Sequence, residues 1–245
     1  MTTIVSAFIS DVNDRPDRNI NKYYEFGKLL LKSTTPKIIF LDNEMYNIVQ
    51  NDKAYNIENT FLINYKKTES YLYNFIDNIT SFNVNTTYPL KDTIDYMCLI
   101  CNKTEFVKKA IEIDPFNSKN YVWIDFGIKH VYNCENENIF IDKLNEINYK
   151  NYNNVRIASI WDFNKQYNVN IYKDICWYFS GGVFGGNKEK LLLFAELMKQ
   201  KCIKIIQQSN TIMWEVNIWY LIYCENPSLF DPYYGNHNKT IVDNY

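Results

Sequence analysis

Apolar and polar residues alternate along the chain in short segments that predict a layered α/β fold. Short runs rich in Val, Ile, Phe, Tyr or Trp, bounded by Asp, Asn, Pro or Gly, are typical of strands. Such runs predict strands at 3–9, 37–41, 60–63, 121–124, 155–161 and 175–184. Between them, apolar residues recur at helical spacing, which predicts helices through 23–31, 70–79, 92–113, 187–198 and 211–223, and a short helix within 135–154.

The order of these elements favours a sheet with mostly parallel strands. Strand 3–9 is followed by a helix that Asn19 or Asn21 can cap, and then by strand 37–41. Such a βαβ unit joins two parallel strands by a crossover. We therefore expect an α/β domain with a central, mostly parallel sheet flanked by helices.

Composition narrows the class of protein. The chain has 245 residues, of which 47% are hydrophobic and 22% charged, and its net charge is −2. Lys and Arg are scattered, so nucleic acid is not expected as the main partner. No apolar run approaches the roughly 18 residues that span a bilayer, and the first residues carry no signal-peptide pattern. We expect a cytoplasmic protein, in the host cytoplasm if its AT-rich coding bias reflects a viral source.

Asp125 is the first candidate for chemistry. It follows the apolar strand 121–124 and precedes Gly127. Open α/β sheets bind ligands beyond the carboxyl ends of their strands, which is where Asp125 is expected. The alternative is that Asp125 only caps the next turn.

A cluster of glycines is the second candidate. Gly181, Gly182, Gly185 and Gly186 account for four of the seven glycines in the chain. We expect them to interrupt and close strand 175–184, where the backbone bends or approaches another group closely. A bulged strand that enters a helix would explain the same residues.

Glu215 and His237 are the remaining candidates for chemistry. Glu215 lies among Trp214 and Trp219, so a buried carboxylate there needs a partner or a function. Alternatively, Glu215 only complements the positive end of a helix dipole. His237 is in a predicted loop at 231–237, and it offers a second ligand if Asp125 holds a divalent ion.

Several of these segments together resemble one known family. The matching parts are the strands at 4–8 and 37–42, the segment 101–106, Trp123-Ile124-Asp125-Phe126-Gly127-Ile128 and the double-glycine segment 181–186. The chain resembles the WlaTC/HtrL family of glycosyltransferase-like proteins, within the GT-A nucleotide-sugar transferases. The double-glycine segment also looks like the acceptor-side segment of blood-group-type retaining transferases.

This resemblance implies a single GT-A-like domain over 1–245, with a nucleotide-binding half at 1–130 and an acceptor and sugar-binding half at 131–245. The implied ligands are a nucleotide sugar, which we expect to be a UDP-sugar, and a glycan or glycoprotein acceptor. The residues implied to hold the nucleotide are Ser6, Ala7 and Phe8 at the base and Arg15, Arg18 and Lys103 at the phosphates.

The resemblance also implies a metal site, from which this chain departs. Asp125 takes the place of the Asp-x-Asp motif, but its third position is Gly127. Asp125, His237 and diphosphate oxygens would together hold Mn²⁺ or Mg²⁺. Without metal, the developing phosphate charge would fall to Lys103, Arg15 and Arg18.

In the same picture Glu215 and Asp125 are the catalytic residues. Glu215 would act as a base towards the acceptor hydroxyl or stabilise an oxocarbenium-like centre. The residues implied to shape the sugar and acceptor pocket are Trp177, Gly181, Gly182 and Trp214. Two other readings stay open, namely a non-catalytic protein that binds a sugar nucleotide or glycan on the same fold, and a nucleotidyltransferase.

Overall fold

The structure is a computed structural model that describes residues 1–12, 18–52, 57–134 and 136–245. Within these residues, seven strands form one sheet in the order β3-β2-β1-β4-β6-β5-β7. The strands are β1 (Thr2–Phe8), β2 (Lys37–Leu41), β3 (Thr60–Asn64), β4 (Asn120–Ile124), β5 (Val155–Ser159), β6 (Phe179–Asn187) and β7 (Phe230–Tyr234). The helices are α1 (Ile20–Lys32), α2 (Asn43–Asn51), α3 (Ile94–Cys101), α4 (Lys103–Ile113), α5 (Glu137–Glu146), α6 (Lys188–Ser209), α7 (Glu215–Glu225) and α8 (Thr240–Asp243).

Strand direction creates a crevice at the carboxyl edge of the sheet. β1 pairs in parallel with both β2 and β4, and only β6, among the described strands, runs against its neighbours. The chain leaves β1 towards β2 on one side and later returns to β4 on the other. The strand order therefore reverses between β1 and β4, which is where α/β sheets bind ligands. The predicted mostly parallel α/β sheet is confirmed.

Two apolar layers cover the faces of the sheet. Along β4, Tyr121 and Trp123 pack into the layer of α3, α4, α6 and α7, whereas Val122 and Ile124 pack into the layer of α1, α2, α5 and α8. This alternation follows from the two-residue period of a strand. Because Asp125 continues it, its side chain lies on the same face as that of Trp123.

The predicted helix 92–113 is wrong in one respect, because Asn102 divides it into α3 and α4. The buried Asn102 side chain accepts a hydrogen bond from Ser70 Oγ at 2.9 Å and donates one to Tyr65 at 3.3 Å. Apolar spacing continues across the break, so the pattern gave no sign of it. As a consequence, Lys103 begins α4 instead of lying in the middle of a helix.

The glycines at 181, 182, 185 and 186 were expected to interrupt and close a strand, and this second expectation is wrong. β6 is continuous through all four of them, and its pairing with β4 has a regular register from Asn187 to Val183. None of these glycines has positive φ. They are therefore sites of close approach within a strand, and neither interrupt nor close it. Against β5, however, the register of β6 shifts between Phe184 and Phe179, the segment that contains Gly181 and Gly182, and β6 runs directly into α6. These two features fit the alternative of a bulged strand that enters a helix.

Further elements differ from the sequence-based expectations. The helix predicted at 70–79 is a 3₁₀ helix over Tyr71–Asn78, and the strand predicted at 175–184 is β6, which begins at Phe179. The polar helix α2 was not predicted, although Asp42 caps it by accepting from Met45 N at 2.9 Å. Helix α7 begins at Glu215 instead of 211. Residues expected to form a loop instead form β7, an edge strand in which Pro232 is tolerated. None of the helices in the described ranges has the length and apolarity needed to cross a membrane.

Lys37 yields a prediction about pH and stability. Its side chain is fully buried and donates to Ser33 O at 2.7 Å. Burial lowers the pKa of Lys37 from 10.5 to about 7. Between these values the unfolded chain binds a proton that the folded chain does not, so the free energy of unfolding should rise with pH by up to ~1.4 kcal/mol per pH unit. Below about pH 7 both states are protonated, and the penalty is full and constant.

We therefore expect Lys37→Met to remove this slope between about pH 7.5 and 9.5. Urea denaturation across that range measures it. Lys32→Met, at a more exposed lysine near the end of α1, is the matched control and should keep the wild-type slope. Parallel pH profiles for wild type and Lys37→Met would show that Lys37 stays charged when folded.

Candidate active site

Two adjoining cavities open at the carboxyl edge of the sheet. The Phe8 cavity, of about 160 Å³, is lined at the end of β1 by Ala7 and Phe8 and by Tyr23 of α1. The Glu215 cavity, of about 460 Å³, is lined by Trp177, Gly181, Gly182, Trp214, Glu215 and His237, among others. Both are lined by Lys91, Tyr96, Ile100, Lys103, Asp125 and His130, so they form one cleft.

Lys103 lies between two carboxylates at the boundary of the cavities. Its ammonium is 3.0 Å from Asp125 Oδ1 and 3.1 Å from Glu215 Oε1, and it donates to Gly181 O at 2.9 Å. Its three N–H donors thus meet oxygens from three elements. The side chain is 9% exposed. Burial lowers the pKa of Lys103, but the charges of Asp125 and Glu215 outweigh it and raise the pKa above its ordinary value.

Trp123 fixes the orientation of Asp125. Its indole nitrogen donates to Asp125 Oδ1 at 2.7 Å, and its ring is stacked between those of Phe106 and Phe184. The Asp125 side chain remains 37% exposed towards the cleft. The described contacts of this carboxylate are therefore with Trp123 and Lys103, which does not fit the reading of Asp125 as a cap for the next turn.

Gly181 lets β6 approach this cluster, and Gly182 lets it approach the apolar layer on the other face of the sheet. A Cβ on Gly181 would overlap Glu215 Oε1 and lie 3.1 Å from Lys103 Nζ. A Cβ on Gly182 would lie 2.8 Å from Ile241 and 2.9 Å from Ile128. Space for the Lys103–Glu215 pair therefore depends on the missing side chain at 181.

The sequence suggested two roles for Glu215, a charge at the start of a helix and a buried carboxylate with a partner, and the structure shows both features. It is the first residue of α7, where its charge complements the helix dipole, and it also pairs with Lys103. Two residues later, the buried Asn217 accepts from Cys176 N and donates to Ile171 O and Asp174 O. These bonds anchor to α7 the loop that carries Trp177 into the Glu215 cavity.

The described residues do not fit a resident divalent ion. Asp125 and His237 line the same cavity, but no three His, Cys, Asp or Glu side chains in the described ranges group as metal ligands. Both Asp125 oxygens already lie within 3.3 Å of the Lys103 ammonium. His237 instead packs edge-on against Trp177 at 4.3 Å between ring centroids. Burial, and then the charge of His130, lower the pKa of His237.

The comparison with protein families assigns the chain. A family model described as "Bacterial protein of unknown function (HtrL_YibB)" matches residues 1–240. The chain belongs to the HtrL/YibB family. This description names no activity, so the transferase activity implied by the resemblance remains a prediction. No curated protein matches this HtrL/YibB chain.

Comparison with a solved structure places the HtrL/YibB chain in the GT-A fold. Mouse xyloside xylosyltransferase 1 in its apo form has a TM-score of 0.50 at 10% identity, covering 95% of this chain and 85% of that one. A glycosyltransferase involved in glycosylation of the major capsid of PBCV-1 gives 0.44 at 14% identity, covering 95% and 81%. A 4-diphosphocytidyl-2C-methyl-D-erythritol synthase from Anaerococcus prevotii DSM 20548 gives 0.43 at 9%, covering 96% and 86%. The likeness to the mouse protein concerns the fold alone, and the predicted GT-A class is confirmed.

Most of the predicted site residues line this cleft. Arg18 lines the Phe8 cavity, whereas Arg15 lies outside the described residues. Ser6 is fully buried in β1, and its hydroxyl has no hydrogen-bond partner among the described residues. Ser6 is not among the residues that line either of these two cavities, and its contact with a nucleotide base stays a prediction.

Sequence reasoning missed three residues that line both cavities, namely Lys91, Tyr96 and His130. The Lys91 ammonium is 4.4 Å from the centre of the Tyr96 ring and 3.0 Å from Asp92. Lys91 lies just before a predicted helix, and Tyr96 lies within one, so the sequence pattern offered no signal for either. His130 is close along the chain to Asp125, but chain proximity alone does not indicate a site.

A glycine pair on β6 gives a testable prediction. Gly185→Ala should cost about 1–3 kcal/mol of unfolding free energy, because its Cβ would lie 2.8 Å from the Tyr121 carbonyl, which is backbone. Gly181→Ala should cost at least as much, because its Cβ would overlap Glu215 Oε1 and disturb the buried Lys103–Glu215 pair. Chemical denaturation of both variants measures this, and a clearly smaller loss for Gly181→Ala would contradict it. A crystal structure of Gly181→Ala should show a lengthened Lys103–Glu215 contact.

Proposed function

We propose that this HtrL/YibB chain transfers a sugar from a nucleotide sugar to a hydroxyl of a glycan or glycoprotein. The observation that carries the proposal is the pair of carboxylates, Asp125 and Glu215, held by Lys103 where the two cavities meet. The pair lies at the reversal point of a GT-A sheet, and one cavity opens on each side of Asp125. The two cavities can therefore hold a donor and an acceptor, with a carboxylate between them that can act as an acid or a base.

The Phe8 cavity suits the nucleotide. The rings of Phe8 and Tyr23 lie 4.7 Å apart and offer apolar surface to a base, while Arg18 and His130 line the same cavity and suit phosphate. UDP is our first choice of nucleotide. In this arrangement the diphosphate approaches Asp125 from the Phe8 side.

The Glu215 cavity suits the sugar and the acceptor. Trp177 and Trp214 line it and provide faces on which sugars stack, and Gly181 and Gly182 leave room beside β6. Glu215 then takes the proton of the acceptor hydroxyl or stabilises positive charge at the anomeric carbon. Lys103 pairs with the buried Glu215 carboxylate, so the negative charge of Glu215 is not left unpaired away from water.

The proposed binding of a nucleotide sugar predicts a rise in the melting temperature of the protein. A saturating nucleotide sugar binds only the folded state and should raise the melting temperature, because a ligand at 100 times its Kd adds about 2.7 kcal/mol. A panel of UDP, other nucleoside diphosphates and their sugar conjugates identifies the donor. A protein that none of them stabilises would not be a nucleotide-sugar transferase.

The proposed catalytic role of Glu215 predicts that a Glu215 variant loses turnover but still binds the nucleotide sugar. Glu215→Gln keeps the shape of the side chain but cannot accept a proton, so release of nucleoside diphosphate should fall by roughly 10²–10⁴-fold. Glu225→Gln, at the other end of α7 and paired with Lys201 at the surface, is the matched control and should keep wild-type turnover. The thermal shift should persist in both variants.

Two results would replace the proposal. Binding of a nucleotide sugar without turnover in the wild type would favour a non-catalytic sugar-nucleotide or glycan-binding protein. Release of pyrophosphate from a nucleoside triphosphate and a sugar phosphate would favour a nucleotidyltransferase.

A further inference from the structure

The Lys103 ammonium occupies a small cage of oxygen atoms. Asp125 at the end of β4, Gly181 O on β6 and Glu215 at the start of α7 each place an oxygen 2.9–3.1 Å from Nζ. Two of the three are carboxylates and the third is a backbone carbonyl. Carboxylate and carbonyl oxygens are also the ligands that Mg²⁺ and Ca²⁺ prefer.

The chain builds this cage around the lysine. The break at Asn102 starts α4 at Lys103, and Gly181 leaves the space in which Lys103 and Glu215 meet. All three donors of the ammonium are used, and its side chain is nearly excluded from solvent. A divalent ion between the same carboxylates would have to displace it.

We propose that Lys103 is the resident cation of this site and takes the place of a divalent metal between Asp125 and Glu215. Its positive charge holds the two carboxylates together and faces the point where the cavities meet. If the proposed function is right, the chain then binds its nucleotide sugar without metal, and the remaining phosphate charge falls to Arg18, Lys91 and His130 along the Phe8 cavity.

The first experiment needs no nucleotide. Mn²⁺ binding is measured by electron paramagnetic resonance on wild type, Lys103→Met and Lys103→Gln, with folding checked by circular dichroism. We expect no stoichiometric Mn²⁺ binding to wild type, and one Mn²⁺ bound at least tenfold more tightly by the two Lys103 variants. Adding Asp125→Asn to Lys103→Met should abolish that gain.

Lys201→Met is the matched control. Lys201 pairs with a single carboxylate, Glu225, at 2.6 Å, so its removal frees one carboxylate but no cage. It should bind Mn²⁺ no better than wild type. Tight stoichiometric binding to wild type would overturn the proposal, and so would the absence of any gain in the folded Lys103 variants.

The second experiment tests the nucleotide. Stabilisation of wild type by UDP and by UDP-sugars should be equal in EDTA and in Mn²⁺. A shift that requires Mn²⁺ would overturn the inference while leaving the proposed function intact. If no nucleotide stabilises the protein in either condition, the proposed function fails, and the Mn²⁺ measurement still decides the role of Lys103.

Discussion

The site depends on one buried ionic cluster, the Lys103 ammonium between the carboxylates of Asp125 and Glu215. Charges removed from water are costly, and breaking such a buried pair typically costs roughly 3–5 kcal/mol. Each element near the cluster is adapted to it. Asn102 ends α3 so that α4 can begin at Lys103, Gly181 leaves room on β6, and α7 begins at Glu215. The cluster therefore links three segments that are far apart in the sequence.

The sheet explains why the cluster is accessible to ligands. Parallel pairing of β1 with β4 brings Phe8 and Asp125 to one edge, where the strand order reverses. The indole nitrogen of Trp123 donates a hydrogen bond that orients Asp125, and Asn217 anchors the loop that carries Trp177. The result is a cleft with an ionic cluster at its centre and several aromatic rings in its walls. Such a combination suits a ligand with a base, phosphates and sugar rings.

The sequence predicted the parts of the fold that local patterns encode. The strands β1, β2 and β4 followed from apolar runs, and of the two cap residues that the sequence offered for α1, Asn19 or Asn21, the structure uses Asn19. The break at Asn102 could not be predicted, because it depends on Ser70 and Tyr65, which are distant in the chain. The glycines of β6 were noticed, but their purpose depends on what lies opposite them. For the same reason Asp125 and Glu215 were singled out separately, while their shared partner Lys103 was expected only at a phosphate.

A crystal structure of the protein with a nucleotide sugar in the presence of Mn²⁺ tests the account most directly. We expect the base beside Phe8 and Tyr23, the sugar beside Glu215, and Lys103 still in contact with both carboxylates, with no anomalous manganese signal between them. A manganese ion bridging Asp125 and Glu215, with Lys103 displaced, would contradict the account. A nucleotide bound away from this edge of the sheet would contradict it as well.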